Sequence, residues 1–276
     1  MYKKKLTNIN TIRGTKIYIF SKNKTLKKLN YDTDITLIHY KNFLNWLFKT
    51  FRTNEKKFRT ELFNNIDLKK NQKILITGVG TGNDLYFLLK YKSQLNLKIY
   101  TQDLSLKFLL YSYKKFKNYK NVFFNLSDAK DLPFKDNVFD HTFHFGGINL
   151  FGNLKKSINE MFRVTKNLGS VNFGDEGIAN WLRKTVYADM MINNNKLWKK
   201  KIPINLLPIC SSNLKIRWLL GNCFYFINAT KNTKFPEINL HIKHKSPQGG
   251  SIYSRYLKHK KIRNKKNLNN REYLTN

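Results

Sequence analysis

The sequence predicts an α/β protein: a seven-stranded sheet, mostly parallel, ending in an antiparallel β-hairpin and covered by helices on both faces. Three observations carry this. Short apolar runs alternate with helical segments of about a dozen residues along 73–176, the signature of right-handed βαβ units and a parallel sheet. A glycine-rich turn, KILITGVGTGNDL (73–85), stands where a first strand hands over to a helix. Finally, the pattern changes in LKIRWLLGNCFYFINAT (214–230), where two strands meet at the turn signal Gly221-Asn222.

Each element has its own justification. Residues 1–30 are basic and weakly patterned. DITLIHYKNFLNWLFKTF (34–51) places Ile35, Ile38, Phe43, Trp46, Leu47 and Phe51 at helical spacing, and a second short helix over 55–65 presents Phe58, Leu62 and Phe63. KILIT (73–77) reads as a buried strand, and NDLYFLLKYK as a helix that starts near Asn83 or Asp84 and turns Leu85, Leu88 and Leu89 inward. Strands follow at 97–102, 121–126, 138–145 and 170–175, with helices over 105–116 and 154–167 between them. A long helical stretch over 178–198 precedes the hairpin, and 231–276 reads as an extended basic tail that includes Lys243, Lys245, Lys258, Lys260, Lys261, Lys265 and Lys266. The expected organisation is a basic segment 1–30, a domain 31–230 (core 71–176, lid 178–212, hairpin 213–230) and the tail.

Composition bounds the function. Hydrophobic residues at 41% and aromatics at 14% of 276 residues suffice for a sizeable core and argue against wholesale disorder. No apolar run approaches the ~20 residues that cross a bilayer. Cys210 and Cys223 are too few for a disulfide framework or a zinc site, so no metal is expected. The basic start MYKKKLTNIN lacks a secretory h-region but is acid-poor, as transit peptides are; the expected location is the cytoplasm or an organelle matrix. The net charge of +35 rests on lysine, with nine arginines. That is the mix A/T-rich codons produce without selection for a partner, whereas phosphate and guanine recognition draws on arginine's bidentate fork. Nucleic acid is a possible but not favoured partner, and KLWKKK (196–201) suits peripheral contact with an anionic membrane or simple solvation. Acids are scarcer and more informative: nine of seventeen lie between Asp84 and Glu176.

In an open parallel sheet, ligands sit at the carboxyl ends of the strands. Gly78, Gly80 and Gly82 let backbone approach a nucleotide-like ligand, with the next helix's free N–H groups aimed at it; a tight turn is the competing reading. Asp103, about twenty residues on, ends the second strand where a carboxylate binds ribose hydroxyls, or caps the next helix in a duty shared with Ser105. Asp128, followed by Ala129, ends the third, placed for an adenine amine or a turn.

Four stretches resemble class I S-adenosylmethionine-dependent methyltransferases with a Rossmann-like fold, in the branch typified by ubiquinone/menaquinone biosynthesis methyltransferases: GVGTGNDL (78–85), TQDLS (101–105), SDAKDLPFKDNVFD (127–140) and EMFRVTKNLGSVNFGD (160–175). The resemblance implies S-adenosylmethionine as cofactor. It implies Gly78, Gly80 and Gly82 at its methionine and ribose, Asp103 on the ribose, Leu104 against the adenine, and Asp128 with Ala129 near the adenine amine; Phe145 completes the set. Thr77 stands where the family has an acid at the methionine end. Asn167-Leu168-Gly169 replaces a Pro-Gly, with Gly169 keeping the helix stop. A dehydrogenase would need glycine at 83, where asparagine stands.

Methyl transfer then proceeds by in-line displacement, which asks the protein for alignment and for a base only if a hydroxyl is methylated. His144 is the candidate base, on the strand face opposite Phe143 and Phe145, with His141 less well placed and Gly146-Gly147 beside it. The lid's Trp181, Leu182, Tyr187, Met190, Met191 and Trp198 suit a small aromatic or isoprenoid-like acceptor. An RNA or protein methyltransferase using the basic surface, and a non-catalytic module on the same fold, are the alternatives.

Overall fold

The computed structural model describes residues 1–2, 14–20, 34–234, 238–245 and 249–259. In chain order the elements are β1 (Ile17–Ile19), α1 (Asp34–Thr50), α2 (Glu55–Phe63), β2 (Lys73–Thr77), α3 (Asn83–Tyr91), β3 (Lys98–Asp103), α4 (Leu106–Phe116), β4 (Val122–Leu126), β5 (Phe139–Phe145), α5 (Leu154–Val164), β6 (Thr165–Glu176), α6 (Val186–Asn194), β7 (Ser211–Leu219), β8 (Phe224–Lys231) and α7 (Ile252–His259). They build one eight-stranded sheet, ordered β1-β4-β3-β2-β5-β6-β8-β7, parallel through β6 and antiparallel at β8 and β7. The mixed α/β fold is as expected; the additional strand is β1, from the segment read as basic and weakly patterned. Its three residues pair with Phe124–Leu126 at the sheet edge and are too few to show a period.

Central strands are buried on both faces, which is why KILIT shows no alternation: Ile74, Leu75 and Ile76 are all 0% exposed. On one face Phe63 stacks on Phe87 (5.3 Å) and Phe143 (4.5 Å). On the other, Ile158 and Phe162 of α5 pack with Val171, Phe173 and Ile227.

Four expectations are corrected. The helix predicted to 167 ends at Val164, because β-branched Thr165 turns extended (ψ 139°) and bonds its Oγ1 back to the Met161 carbonyl at 2.7 Å. β6 therefore starts five residues early. Gly169 does not stop the helix; it lies against β5, where a Cβ would sit 2.6 Å from the Asp140 carbonyl. The helix expected over 178–198 is broken: the Thr185 hydroxyl caps Ala188 N–H, α6 runs nine residues, and the Asn195 side chain opens a short 3-10 turn at Lys196–Lys199. The hairpin closes through four residues rather than two, with Leu220, Gly221 and Asn222 all left-handed. The tail contributes α7, and Lys260, Lys261, Lys265 and Lys266 lie outside the described residues. By contact density the chain divides into two units, Met1–Lys231 and Asn232–Asn276.

His141 is a structural residue with a pH signature. Its ring sits between Ser170 Oγ (2.7 Å) and Gln72 Oε1 (2.9 Å), and burial pushes its pKa down to about 4. Unfolded, it titrates near 6.5, so between these values the unfolded chain holds more protons. The histidine's contribution is present above about pH 6.5 and is lost as pH falls toward 4, to a total of about 3 kcal/mol. Denaturant unfolding of wild type and His141→Gln across pH 4–7 isolates this term as the difference between the two curves; parallel curves would refute it.

Candidate functional site

Strand order reverses between β2 and β5, and this switch point opens a crevice at their carboxyl ends. Its floor is the turn 78–82. Gly82 is left-handed (φ 80°) and packs so closely that a Cβ would lie 2.6 Å from Phe116 and from Ser112 Oγ, so no other residue fits. Gly80 has nothing nearer than the Gly78 carbonyl at 3.9 Å, and Gly146 and Gly147 beyond β5 have nothing within 4 Å. The strand tips thus carry two bare backbone surfaces, as an approaching ligand needs.

Three strand tips are tied together here. Asp103 ends β3, and its carboxylate accepts from Gly80 N–H (2.8 Å) and Ser105 N–H (2.9 Å). The helix cap proposed for it belongs to Ser105, which accepts from Phe108 N–H. Gln102 donates to the Ser127 carbonyl and accepts from Gly78 N–H at 3.4 Å. Asp128 makes the turn considered as its alternative: it accepts from Lys130 N–H (2.9 Å) and pairs with Lys130 Nζ (3.3 Å). Leu104 is half-buried and Ala129 buried beside these groups.

Thr77 and His144 face each other across β2 and β5. His144 Nδ1 lies 2.7 Å from the Thr77 carbonyl, which only accepts, so Nδ1 carries the proton and Nε2 the lone pair. Nε2 is buried with no hydrogen-bond partner. Burial lowers the imidazole's pKa against the opposing pull of Asp175 and of the Thr77 and Gly146 backbone. The Thr77 hydroxyl lies within the sheet, 3.4 Å from the Phe143 carbonyl and 3.3 Å from His144 Nδ1. Phe145 points to the opposite face, against Phe58 (5.1 Å) and Phe224 (6.0 Å), as alternation requires.

Other polar groups at this edge escaped the sequence reading. Asp175, fully buried at the end of β6, accepts from Gly147 (3.1 Å) and Asn149 (2.6 Å) N–H and so fixes the second bare loop. Burial, together with the neighbouring Asp175, raises the Glu176 carboxyl well above its usual range. Arg59 of α2 is ion-paired with Asp84 of α3, both buried, and Glu55 accepts from Arg59 and Asn83. Tyr40 of α1 feels Arg59, Asp84, Glu55 and Glu176, and burial pushes its phenol up to about 12. The signal was the clustering of scarce acids; spacing gave no hint of the partners. A cavity of about 770 Å³ opens beside the glycine turn, with Tyr40, Phe48, Glu55, Thr81, Asn83 and Tyr111 among its walls. Among the described residues no helix is long and apolar enough to cross a membrane.

Known proteins share this fold. The sequence profile of a methyltransferase domain family matches residues 68–235, more than half of the chain. A search of curated proteins finds no match. Among solved structures, phosphoethanolamine N-methyltransferase 2 of Haemonchus contortus, in complex with phosphomonomethylethanolamine and S-adenosylhomocysteine, aligns over 74% of this chain with a TM-score of 0.58 at 15% identity. The chain covers 58% of that enzyme's length. A Methanococcus maripaludis protein assigned to the S-adenosyl-L-methionine-dependent methyltransferases aligns over 76% of this chain and 98% of its own (TM-score 0.56, 18% identity). At such identities the structures speak for the fold, and the profile speaks for the family. The chain belongs to the methyltransferase domain family.

Proposed function

We propose that the chain transfers the methyl group of S-adenosylmethionine to a small acceptor with an aromatic or isoprenoid-like body, by in-line displacement, and belongs to the ubiquinone/menaquinone-like branch. The observation that carries this reading is the Asp103 carboxylate, which closes the bare Gly80 turn onto the tip of β3. The cofactor supplies a methyl group already activated on a sulfonium. In this reading the 78–82 backbone forms the floor, Asp103 takes the ribose hydroxyls, and Leu104 and Ala129 flank the adenine. Asp128 accepts from the adenine amine, while Thr77 and Phe145 border the methionine end. Support for the branch comes from the 127–140 stretch. Arg163 donates to the carbonyls of Leu132 (3.0 Å) and Phe134 (2.8 Å), and Glu160 accepts from Leu132 N–H (2.7 Å), so α5 holds that motif in one shape.

His144 is the base for a hydroxyl acceptor, because its Nε2 lone pair is held in place by the Nδ1–H bond to Thr77. The core is 71–176, the lid 178–212 and the hairpin 213–230. Leu182 and Met191 of the lid are partly buried against the core, adaptable apolar groups that favour a small apolar acceptor. Calorimetric titration with S-adenosylmethionine and S-adenosylhomocysteine tests the reading. Wild type is expected to bind both, and Asp128→Ala to bind about tenfold more weakly. No heat at millimolar cofactor would overturn it.

A further inference from the structure

The lid has an inner and an outer side. Inside, Ile178, Ala179, Ala188 and Trp198 are 0% exposed, and Trp198 packs against Phe224 (6.3 Å) and Trp46 (6.1 Å). Outside, Trp181 is 64% exposed, Val186 75%, Met190 66% and Ile209 57%. Val186 and Met190 are four residues apart on α6 and share a face. Such a set of large apolar groups on the surface marks contact with something apolar.

The same stretch is basic. Residues 178–212 hold Arg183, Lys184, Lys196, Lys199, Lys200 and Lys201 against the single acid Asp189, six minus one, or +5. All five lysines are exposed. Arg183 joins the two features: its guanidinium donates to Asn180 Oδ1 (3.2 Å) and to the carbonyls of Lys199 (3.0 Å) and Lys200 (2.6 Å). The fork clamps the lysine run beside the Trp181 turn, so that turn and the basic run are held together.

We propose that this outer lid surface docks on an anionic lipid bilayer. Apolar side chains that enter the interface, flanked by lysines facing anionic headgroups, are the chemistry of peripheral membrane attachment. RNA fits less well: the one arginine here is engaged by backbone carbonyls, and nucleic acid offers no apolar interior to Val186, Met190 or Ile209. A second copy would bring another +5 face against this one. Docking delivers a lipid-soluble acceptor to the lid, and that consequence alone rests on the proposed function; attachment itself does not.

The test uses the full chain without cofactor, on phosphatidylcholine vesicles with and without 30% phosphatidylglycerol, so that failure of methyl transfer and failure of docking are read separately. Because +35 draws the protein to any anionic surface, location is the deciding readout. Brominated acyl chains are expected to quench tryptophan emission in anionic vesicles, and Trp181→Phe to remove most of that quenching. In co-sedimentation, Val186→Ser/Met190→Ser/Ile209→Ser is expected to weaken binding at least about tenfold. Replacing Lys199, Lys200 and Lys201 by alanine is expected to weaken it by up to about a hundredfold, roughly fivefold per lysine. Replacing the equally exposed Lys114, Lys117 and Lys120 by alanine is expected to have far less effect. Equal losses in the two lysine variants, quenching that survives in Trp181→Phe, protection of the lid by an RNA oligonucleotide in place of vesicles, or dimerisation through this face would each overturn the proposal.

Discussion

Arg59→Leu is expected to cost about 3–5 kcal/mol of folding stability, the range for removing one partner of a buried ion pair. Arg59 is 5% exposed and Asp84 8% exposed. Burial pushes the Asp84 carboxyl upward and the adjoining guanidinium pulls it back; without the cation only the upward push remains. Asp84 therefore either stays ionised and unpaired or takes up a proton, and both outcomes are unfavourable. A double variant, Arg59→Leu/Asp84→Leu, is expected to recover much of the loss, since paired apolar groups can replace a buried pair. Urea unfolding of the three proteins measures both effects. If the single variant unfolds within 1 kcal/mol of wild type, the pair is not what holds α2 to α3. Asn83 bonds to Glu55 at 2.7 Å, so the damage should reach the glycine turn as weakened cofactor binding.

Asp103→Ala is expected to raise the cofactor's dissociation constant at least about a hundredfold, with a smaller effect on stability. The carboxylate holds two backbone N–H groups, and each charge-assisted bond is worth about 1.5–3 kcal/mol. Its loss frees Gly80 from β3 and, in the proposed reading, strips the ribose of its acceptor. Asp103→Asn keeps one accepting oxygen and presents an amide donor to the second N–H, so an intermediate affinity is expected. Calorimetry gives the affinities, and thermal unfolding run alongside shows whether the sheet survives. Affinity unchanged from wild type in Asp103→Ala would remove the carboxylate from the site.

Local chemistry made much of this legible. KILIT, the glycine turn and Asp103 follow one another within about thirty positions, and each announces itself: an uninterrupted apolar run, residues tolerant of left-handed backbone, and a carboxylate at a strand tip. What stayed hidden depends on partners distant in sequence. Arg59 and Asp84 are 25 positions apart, and nothing in FRTEL or GNDL says that they meet. Thr165 ends a helix whose apolar period runs on, because pairing with Phe139 outweighs helical propensity there. Asp175 and Glu176 stood out by scarcity, but their roles come from Gly147, Asn149 and Tyr40, which approach from other elements. β1 is stabilised by a neighbour 107 positions away rather than by its own three residues.

The struts formed by Gln102 and Asp103 have a thermodynamic consequence. The turns after β2, β3 and β4 are cross-linked to one another by the chain's own amides and carboxylate. The entropy of arranging them is therefore lost during folding, and a guest entering the crevice meets walls already in position. Affinity there depends on chemical complementarity, with little withheld for ordering the host.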